Sequence, residues 1–187
     1  LAHSIAKQFH AELIIGEVSR LVVDLNRSIG NRSLYYDTVK TLPKLVLDEI
    51  LNTYYFPYRR SVSEKIAKMI KRGRVLHLSI HSFTPVFDGI KREVDLGLLY
   101  DPKRELERLF CKKVKAEFHK RSNALCYMNK PYKGISDGFV TALRHEFRQR
   151  QYIGIEIEMN QKFALNESSL YDKKFLEPLL KSLYASI

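Results

Sequence analysis

The sequence predicts an α/β fold in which a mostly parallel mixed sheet carries helices on both faces. Short apolar segments alternate along the chain with longer segments whose apolar residues recur at helical spacing. Several of the short segments are apolar almost throughout, which is typical of strands covered on both faces. The chain has 187 residues, of which 45% are hydrophobic. We therefore expect one domain over residues 1–187 with a full core.

The first half of the chain shows helical spacing at its start and a break near its middle. Leu1, Ile5 and Phe9 lie on one side of the first predicted helix. Pro57 should separate two later helices, and Gly73 should end the second of them. The predicted elements are a helix at 1–10, strands at 12–16 and 20–25, and helices at 43–55 and 58–72.

The second half alternates strands and helices more regularly. The segment "RVLHLSI" has the composition of a buried strand, and the long loop 81–93 follows it. The loop "NKPYKGISDG" contains the Pro, Gly, Ser and Asp residues of a surface turn. The predicted elements are strands at 74–80, 94–100, 123–128 and 152–159, and helices at 103–121, 139–147 and 170–186.

Charge and cysteine content restrict the classes of partner and compartment. The net charge is +11, but the basic residues are spread over predicted helices and mixed with acidic ones. We expect a solvated basic face suited to small anionic substrates, and neither nucleic acid nor a membrane as partner. No apolar run is long enough to span a bilayer. Cys111 and Cys126 lie far apart, which predicts free thiols in the cytoplasm.

Three polar clusters follow apolar strands of the predicted sheet: Asn26-Arg27, His81-Ser82 and the segment 158–161. In open α/β sheets, binding sites form beyond the carboxyl ends of the strands. His81 is either a metal ligand or a histidine hydrogen-bonded at a strand end. Glu158 is either a general base or a salt-bridged carboxylate. Asn26-Arg27 could bind a carboxylate or cap loop carbonyls.

Four motifs resemble one family, both in their residues and in their order along the chain. "SIHSFTP" resembles the strand end that carries a zinc-binding histidine in zinc carboxypeptidases, and "VVDLNRS" resembles the Asn-Arg pair of that superfamily. "GIEIEMNQ" resembles the strand with its catalytic glutamate. Together with "NKPYKGISDG", the combination is most similar to the N-formylglutamate amidohydrolases over most of the chain. The implied fold is zinc carboxypeptidase-like, of the phosphorylase/hydrolase type.

The resemblance implies roles for individual residues. Glu158 would be the general base and then the general acid, and Arg20 would polarise the scissile carbonyl. Asn26 and Arg27 would bind the α-carboxylate of the substrate. His81 would ligate zinc. The loop residues Asn129 and Tyr132 would lie on the substrate side of the site.

The zinc ligands implied by the resemblance are incomplete in this sequence. Family members supply a further His and an acidic residue from a segment that precedes the first helix of this chain. A catalytic zinc normally takes three protein ligands. The chain begins with Leu, inside a predicted helix that has no N-cap. We therefore expect the natural protein to extend upstream and to supply the other ligands there.

Three functional hypotheses follow. The first is a zinc-dependent amidohydrolase of N-formyl-L-glutamate that releases formate and L-glutamate. The second is a related metallohydrolase of another N-acyl amino acid or a peptide end. The third, from a different class, is a basic, non-catalytic nucleic-acid-binding domain, whose affinity would fall steeply with salt. The order of the Asn-Arg, His and Glu motifs favours the hydrolases.

Overall fold

The structure is a computed structural model that describes residues 1–164 and 172–187. Its chain divides into two compact units, each assembled from separate stretches of sequence. The first unit consists of Leu1–Leu13, Leu76–Ser136 and Ile153–Ile187, and the second of Ile14–Val75 and Asp137–Tyr152. The single domain over residues 1–187 stays a prediction. No membrane-spanning helix is found in the part of the chain that the structure describes.

The secondary structure follows the predicted alternation in the second half of the chain. The helices of the described residues are α1 (Ala2–Phe9), α2 (Asp37–Lys40), α3 (Lys44–Ile50), α4 (Phe56–Ile70), α5 (Glu105–His119), α6 (Phe139–Glu146) and α7 (Lys173–Tyr184). The strands are β1 (Val75–Phe83), β2 (Val86–Phe87), β3 (Ile90–Lys91), β4 (Leu96–Leu99), β5 (Cys126–Met128) and β6 (Tyr152–Asn160). The predicted helix 170–186 begins later, and residues 170 and 171 lie outside the described residues.

The main sheet has the strand order β1-β6-β4-β5. Strand β4 is parallel to β5 and antiparallel to β6. At the start of β1, the Val75 N–H donates to the carbonyl of Gln151, which precedes β6. At the other end, the Gln161 amide donates to the Ser82 hydroxyl. Strands β1 and β6 therefore run in the same direction, and the predicted α/β fold with a mostly parallel mixed sheet is confirmed.

One face of this sheet forms the core of the first unit. Side chains alternate across a strand, so Ile155 and Ile157 of β6 share a face with Leu96 and Leu98 of β4. All four are fully buried against helices α1, α5 and α7. Each such side chain stabilises the fold by roughly 1.5–3 kcal/mol. This packing leaves the opposite face of the same strands for polar residues.

Glu107 ties α5 to the backbone around it. Its side chain is fully buried and accepts hydrogen bonds from the Gly154 N–H (3.2 Å) and the Asp101 N–H (2.9 Å). The guanidinium of Arg104, which is also buried, lies 3.6 Å away. A buried carboxylate is tolerated only with such partners. Glu107 therefore fixes the position of the helix relative to β6.

The second unit has two smaller apolar clusters. In the larger, Val62 and Ile66 of α4 pack against Leu143 of α6, together with Val75 and Tyr152 at the first positions of two strands. The other cluster consists of buried residues from three different segments, namely Val23, Leu34 and Tyr55. The loop segments of this unit are therefore held to its helices by apolar contacts.

The predicted strands at 12–16 and 20–25 are wrong, because residues 11–36 form turns and irregular structure. The Val22 and Val23 N–H groups both donate to the Ser19 carbonyl, which closes a turn and not a ladder. Val23 is fully buried, whereas Leu21 is 56% exposed. The apolar segment 20–25 thus places individual side chains such as Val23 in a core without forming a strand. Asn26-Arg27 accordingly lies in a loop and not at the end of a strand.

The predicted break between the two helices near Pro57 is a change of helix type. A π-helical turn, Leu51–Tyr55, connects α3 to α4 without an intervening loop. Pro57 lies in the first turn of α4. Helical structure precedes the proline, so the helical run lacks one N–H donor at this position, immediately after the π-helical turn. The chain therefore remains helical through the proline.

Replacing Glu107 should destabilise the fold strongly. We expect Glu107→Leu to lower the free energy of unfolding by about 3–5 kcal/mol, because Arg104 and two backbone N–H groups would lose the buried carboxylate that they contact. Glu105→Gln, on an exposed residue of the same helix, is the matched control and should change it by less than about 0.5 kcal/mol. Urea denaturation measures both values, and equal stability of the two variants would contradict this role of Glu107.

Candidate functional site

The polar face of the sheet in the first unit carries the predicted histidine. The Nε2 atom of His81 lies 2.8 Å from the Ser79 hydroxyl and 3.8 Å from a carboxylate oxygen of Glu156. These contacts place β1 and β6 side chains on one common face. The His81 side chain is 29% exposed and that of Glu156 is 9% exposed. The histidine is thus oriented by a hydroxyl and a carboxylate at the carboxyl end of β1.

Glu158 lies on the same face of β6 as Glu156, two residues nearer the strand end. It is 7% exposed, and its direct partner on β4 is Gly97. A Cβ atom at Gly97 would lie 3.2 Å from the Glu158 Cβ and only 2.2 Å from the Lys130 carbonyl oxygen. The glycine therefore makes room both for the carboxylate and for the loop that passes over it.

Asn129 organises that loop. Its backbone has a positive φ of 53°, and its N–H donates to the Leu98 carbonyl. Its side-chain oxygen accepts from the Tyr100 and Gly134 N–H groups, both at 3.0 Å. One amide oxygen thus closes the loop and attaches it to the end of β4. The predicted contact of Asn129 with a substrate stays a prediction.

Tyr132, the other loop residue predicted to bind substrate, is half-exposed. Its hydroxyl accepts a hydrogen bond of 2.9 Å from the guanidinium of Arg92. Arg92 follows β3, so this bond connects the loop 129–134 to the β2–β3 hairpin. The predicted substrate contact of Tyr132 also stays a prediction.

In the second unit, the Asp24 carboxylate contacts both predicted arginines, Arg20 and Arg27. It accepts a bond of 3.0 Å from Arg20 and lies 3.8 Å from the Nε of Arg27. The same carboxylate accepts from the Asn26 N–H at 3.0 Å. Asp24 is 8% exposed, whereas the Arg20 side chain is 72% exposed. A single buried carboxylate therefore orients the whole Arg20–Arg27 segment.

The Asn26-Arg27 pair is also anchored to the segment that precedes α6. The Asn26 side-chain oxygen accepts from the Phe139 N–H (2.7 Å), and Arg27 Nη1 donates to the Asp137 carbonyl (2.5 Å). A Cβ at Gly138 would lie 3.3 Å from the Asn26 oxygen. The absence of a side chain at Gly138 thus permits the close approach of the loop to the start of α6.

The Asp137 carboxylate holds the loop on its far side. It accepts from the Ser28 N–H (3.1 Å) and the Asn31 side-chain amide (2.6 Å). Burial alone would raise the pKa of Asp137, but these hydrogen bonds and the charge of Arg27 outweigh it and lower the pKa below its ordinary value. The loop is therefore closed by a charged carboxylate.

Two residues of the helical segment hold the carbonyls of this loop. The Tyr55 hydroxyl donates to the Arg27 carbonyl at 2.7 Å, and Arg59 donates to the Leu25 carbonyl at 3.1 Å. The Arg59 guanidinium lies 4.0 Å from the centre of the Phe139 ring. Burial is the largest influence on Tyr55 and raises the pKa of its hydroxyl, so the group remains a donor at neutral pH.

The described residues do not by themselves form a complete zinc site. Within residues 1–164 and 172–187, no group of three or more His, Cys, Asp or Glu side chains is arranged to hold a metal ion. His81 can supply one imidazole, and Glu156 stands beside it as a carboxylate partner. Such a carboxylate is a common second partner of a metal-binding histidine. Three protein ligands are normal for a catalytic zinc.

The structure groups the predicted residues into two sets. His81 and Glu158 lie on the polar sheet face of the first unit, with Asn129 and Tyr132 in the adjoining loop. Arg20, Asn26 and Arg27 surround Asp24 in the second unit. Sequence reasoning missed the anchoring roles of Asp24 and Asp137. Both lie inside motifs already singled out, "VVDLNRS" and "NKPYKGISDG"; for Asp24 the neighbouring Arg27 was the available indication, and for Asp137 there was none in the sequence.

Comparison with known proteins gives one family and two similar structures. The family model for N-formylglutamate amidohydrolase matches residues 1–165. A gene product of Agrobacterium tumefaciens of solved structure is 26% identical, with a TM-score of 0.79 over 99% of this chain and 74% of that chain. An N-formylglutamate amidohydrolase from Ralstonia eutropha is 18% identical and similar in fold, with a TM-score of 0.66 over 89% of this chain and 71% of that one. No curated protein matches the chain.

The contribution of Asp137 to stability should depend on pH. Its folded-state pKa lies below the ordinary value of 3.8, so its stabilising effect is present above that pH and is lost as the pH falls through the folded-state pKa. We expect Asp137→Asn to lower the melting temperature at pH 7, and the difference from the unaltered protein to shrink towards pH 3. Thermal denaturation across this range measures it.

Asp37→Asn provides the control, since Asp37 is an exposed residue that pairs with Lys40. It should change the melting temperature little at either pH. A melting-temperature difference for Asp137→Asn that stays constant from pH 7 to pH 3 would contradict the charged role of Asp137.

Proposed function

Because the chain belongs to the N-formylglutamate amidohydrolase family, we propose that it hydrolyses the N-acyl bond of a small acidic amino acid, with N-formyl-L-glutamate as its substrate. The products are formate and L-glutamate. The observation that carries this proposal is Glu158, a buried carboxylate at the carboxyl end of β6 that faces a glycine. Burying a carboxylate is costly, and such groups are enriched at functional sites, which supports a chemical role for Glu158.

The proposed reaction assigns both proton transfers to Glu158. The carboxylate takes a proton from water, and the resulting hydroxide attacks the formyl carbon. Glu158 then returns the proton to the leaving nitrogen as the C–N bond breaks. Arg20 would stabilise the negative charge that develops on the formyl oxygen.

The proposed role of Asn26 and Arg27 is to bind the α-carboxylate of the substrate. Arg27 Nη1 donates to the Asp137 carbonyl, whereas Nε lies 3.8 Å from Asp24 and, like Nη2, has no hydrogen-bond partner among the described residues. The guanidinium is therefore positioned by the loop anchors and keeps donors for a ligand. A preorganised arginine lowers the entropic cost of orienting the substrate.

We propose zinc as the cofactor, with His81 as one of its ligands. A bound zinc ion would supply Lewis-acid chemistry at the site. Since His81 alone does not complete a ligand set, the proton transfers above are assigned to side chains of this chain only. The proposal is supported by the orientation of His81 at a strand end and by the family to which the chain belongs.

A cytoplasmic location is part of the proposal. Cys111 and Cys126 are both buried thiols outside any disulfide bond, as is usual in a reducing compartment. Burial raises the pKa of the Cys126 thiol to about 12, so this group stays protonated and unreactive.

Removing the proposed base should abolish turnover without unfolding the protein. We expect Glu158→Gln to lower kcat for N-formyl-L-glutamate by about 10²–10⁴-fold, because glutamine keeps the shape but cannot accept the proton. Glu177→Gln, on an exposed residue of α7, is the control and should leave kcat unchanged. Near-normal turnover by Glu158→Gln would contradict the general-base assignment.

Changing the shape of the Arg27 head group should weaken substrate binding. We expect Arg27→Lys to raise KM by about 10–100-fold, because lysine keeps the charge but loses the planar fork. Arg32→Lys makes the same change at an exposed position of the same loop and should leave KM unaltered. Steady-state kinetics measure both variants. A fall in kcat with unchanged KM would contradict the proposed role of Arg27 in substrate binding.

A further inference from the structure

We propose that Arg92 binds the side-chain carboxylate of the substrate and so gives the site its preference for an acidic amino acid. This inference rests on the proposed function, to which it adds the residue that recognises the side chain. Arg92 directly follows β3, and its N–H donates to the Pro85 carbonyl at 2.9 Å. The hairpin therefore fixes its backbone.

Arg92 lies near the ends of the two strands that carry the candidate catalytic groups His81 and Glu158. Its guanidinium lies 5.5 Å from the centre of the Phe83 ring, and Phe83 is the residue two places beyond His81 on the same face of β1. Its carbonyl oxygen accepts from the side-chain amide of Asn160, which lies two places beyond Glu158 on β6. Arg92 therefore contacts the residues that lie two positions after His81 on β1 and two positions after Glu158 on β6.

The guanidinium of Arg92 is held in place by aromatic rings. Its Cζ atom lies 4.6 Å from the centre of the Phe87 ring and 5.4 Å from that of Tyr132. The Tyr132 hydroxyl accepts one of its hydrogen bonds. Rings attract a cation and limit its motion, but they satisfy none of its N–H groups. The arginine is therefore preorganised, with most of its donors still to be used.

No carboxylate among the described residues pairs with Arg92. Its one side-chain hydrogen bond uses Nη1, which leaves the edge formed by Nε and Nη2 for a ligand. Such an edge matches the two oxygens of a carboxylate. A half-exposed arginine in an aromatic surround, without an acidic partner, is suited to bind an anion from solution.

The spacing agrees with the size of the proposed substrate. Two residues along a strand span about 6.6 Å. The formyl carbon and the side-chain carboxyl carbon of N-formyl-L-glutamate are five bonds apart, which is roughly 6 Å when extended. A formyl group beside His81 and Glu158 would therefore bring that carboxylate towards Arg92.

The test compares binding of N-formyl-L-glutamate and N-formyl-L-glutamine, which differ only in the side-chain charge. Isothermal titration calorimetry gives Kd for the unaltered protein, Arg92→Gln and Arg92→Lys, and formate release is measured in parallel. We expect the unaltered protein to prefer the glutamate compound. Arg92→Gln should reduce that preference by at least about 10-fold, and Arg92→Lys by less, since it keeps the charge.

Arg108→Gln removes the same charge from α5, which packs on the other face of the sheet, and should leave the preference unchanged. If Arg92 only fastens the hairpin to the loop, Arg92→Gln will weaken both ligands equally, and the proposal is overturned. An unaltered protein without a preference overturns it as well. A preference in Kd that depends on Arg92, without any formate release, would uphold the binding role and contradict the proposed hydrolysis instead.

Discussion

The burial of β6 over its entire length is the constraint on which the rest of the first unit depends. All nine residues of the strand are buried. One face carries isoleucines that pack against helices, and the other carries Glu156 and Glu158. Carboxylates in such a place are costly unless their surroundings compensate. Gly97, the His81 ring and the loop closed by Asn129 are arranged around this pair. His81 lies beside Glu156, while Gly97 and the loop provide the close packing around Glu158.

The second unit meets a different requirement, which is to hold an arginine-bearing loop rigid without a strand. Asp24 and Asp137 attach the loop through their carboxylates, while Tyr55 and Arg59 attach it through its backbone carbonyls. Two sequence motifs more than a hundred residues apart therefore act as one structural element. These hydrogen bonds satisfy the backbone groups of a loop that has no ladder of its own.

The hydrophobic periodicity of the sequence correctly predicted the helices and strands whose side chains are buried in a core. The helical spacing over α5 and the alternating Ile and Glu residues of β6 are consequences of burial, and both were recognisable in the sequence. The segment before residue 26 was misjudged because "LVVDL" has strand composition, although only some of its side chains enter a core. The shared face of His81 and the glutamates follows from alternation. The loop anchors depend on contacts between distant residues, which spacing alone does not reveal. In the sequence, the proposed zinc site rests on the family resemblance alone.

The decisive measurement is formate release from N-formyl-L-glutamate by the purified protein, before and after treatment with a zinc chelator. We expect hydrolysis that the chelator removes and that added zinc restores. Absence of hydrolysis, in a protein that also binds no zinc, would contradict the proposed function. In that case the fold would have been kept without the reaction, and the basic surface would become the feature to explain.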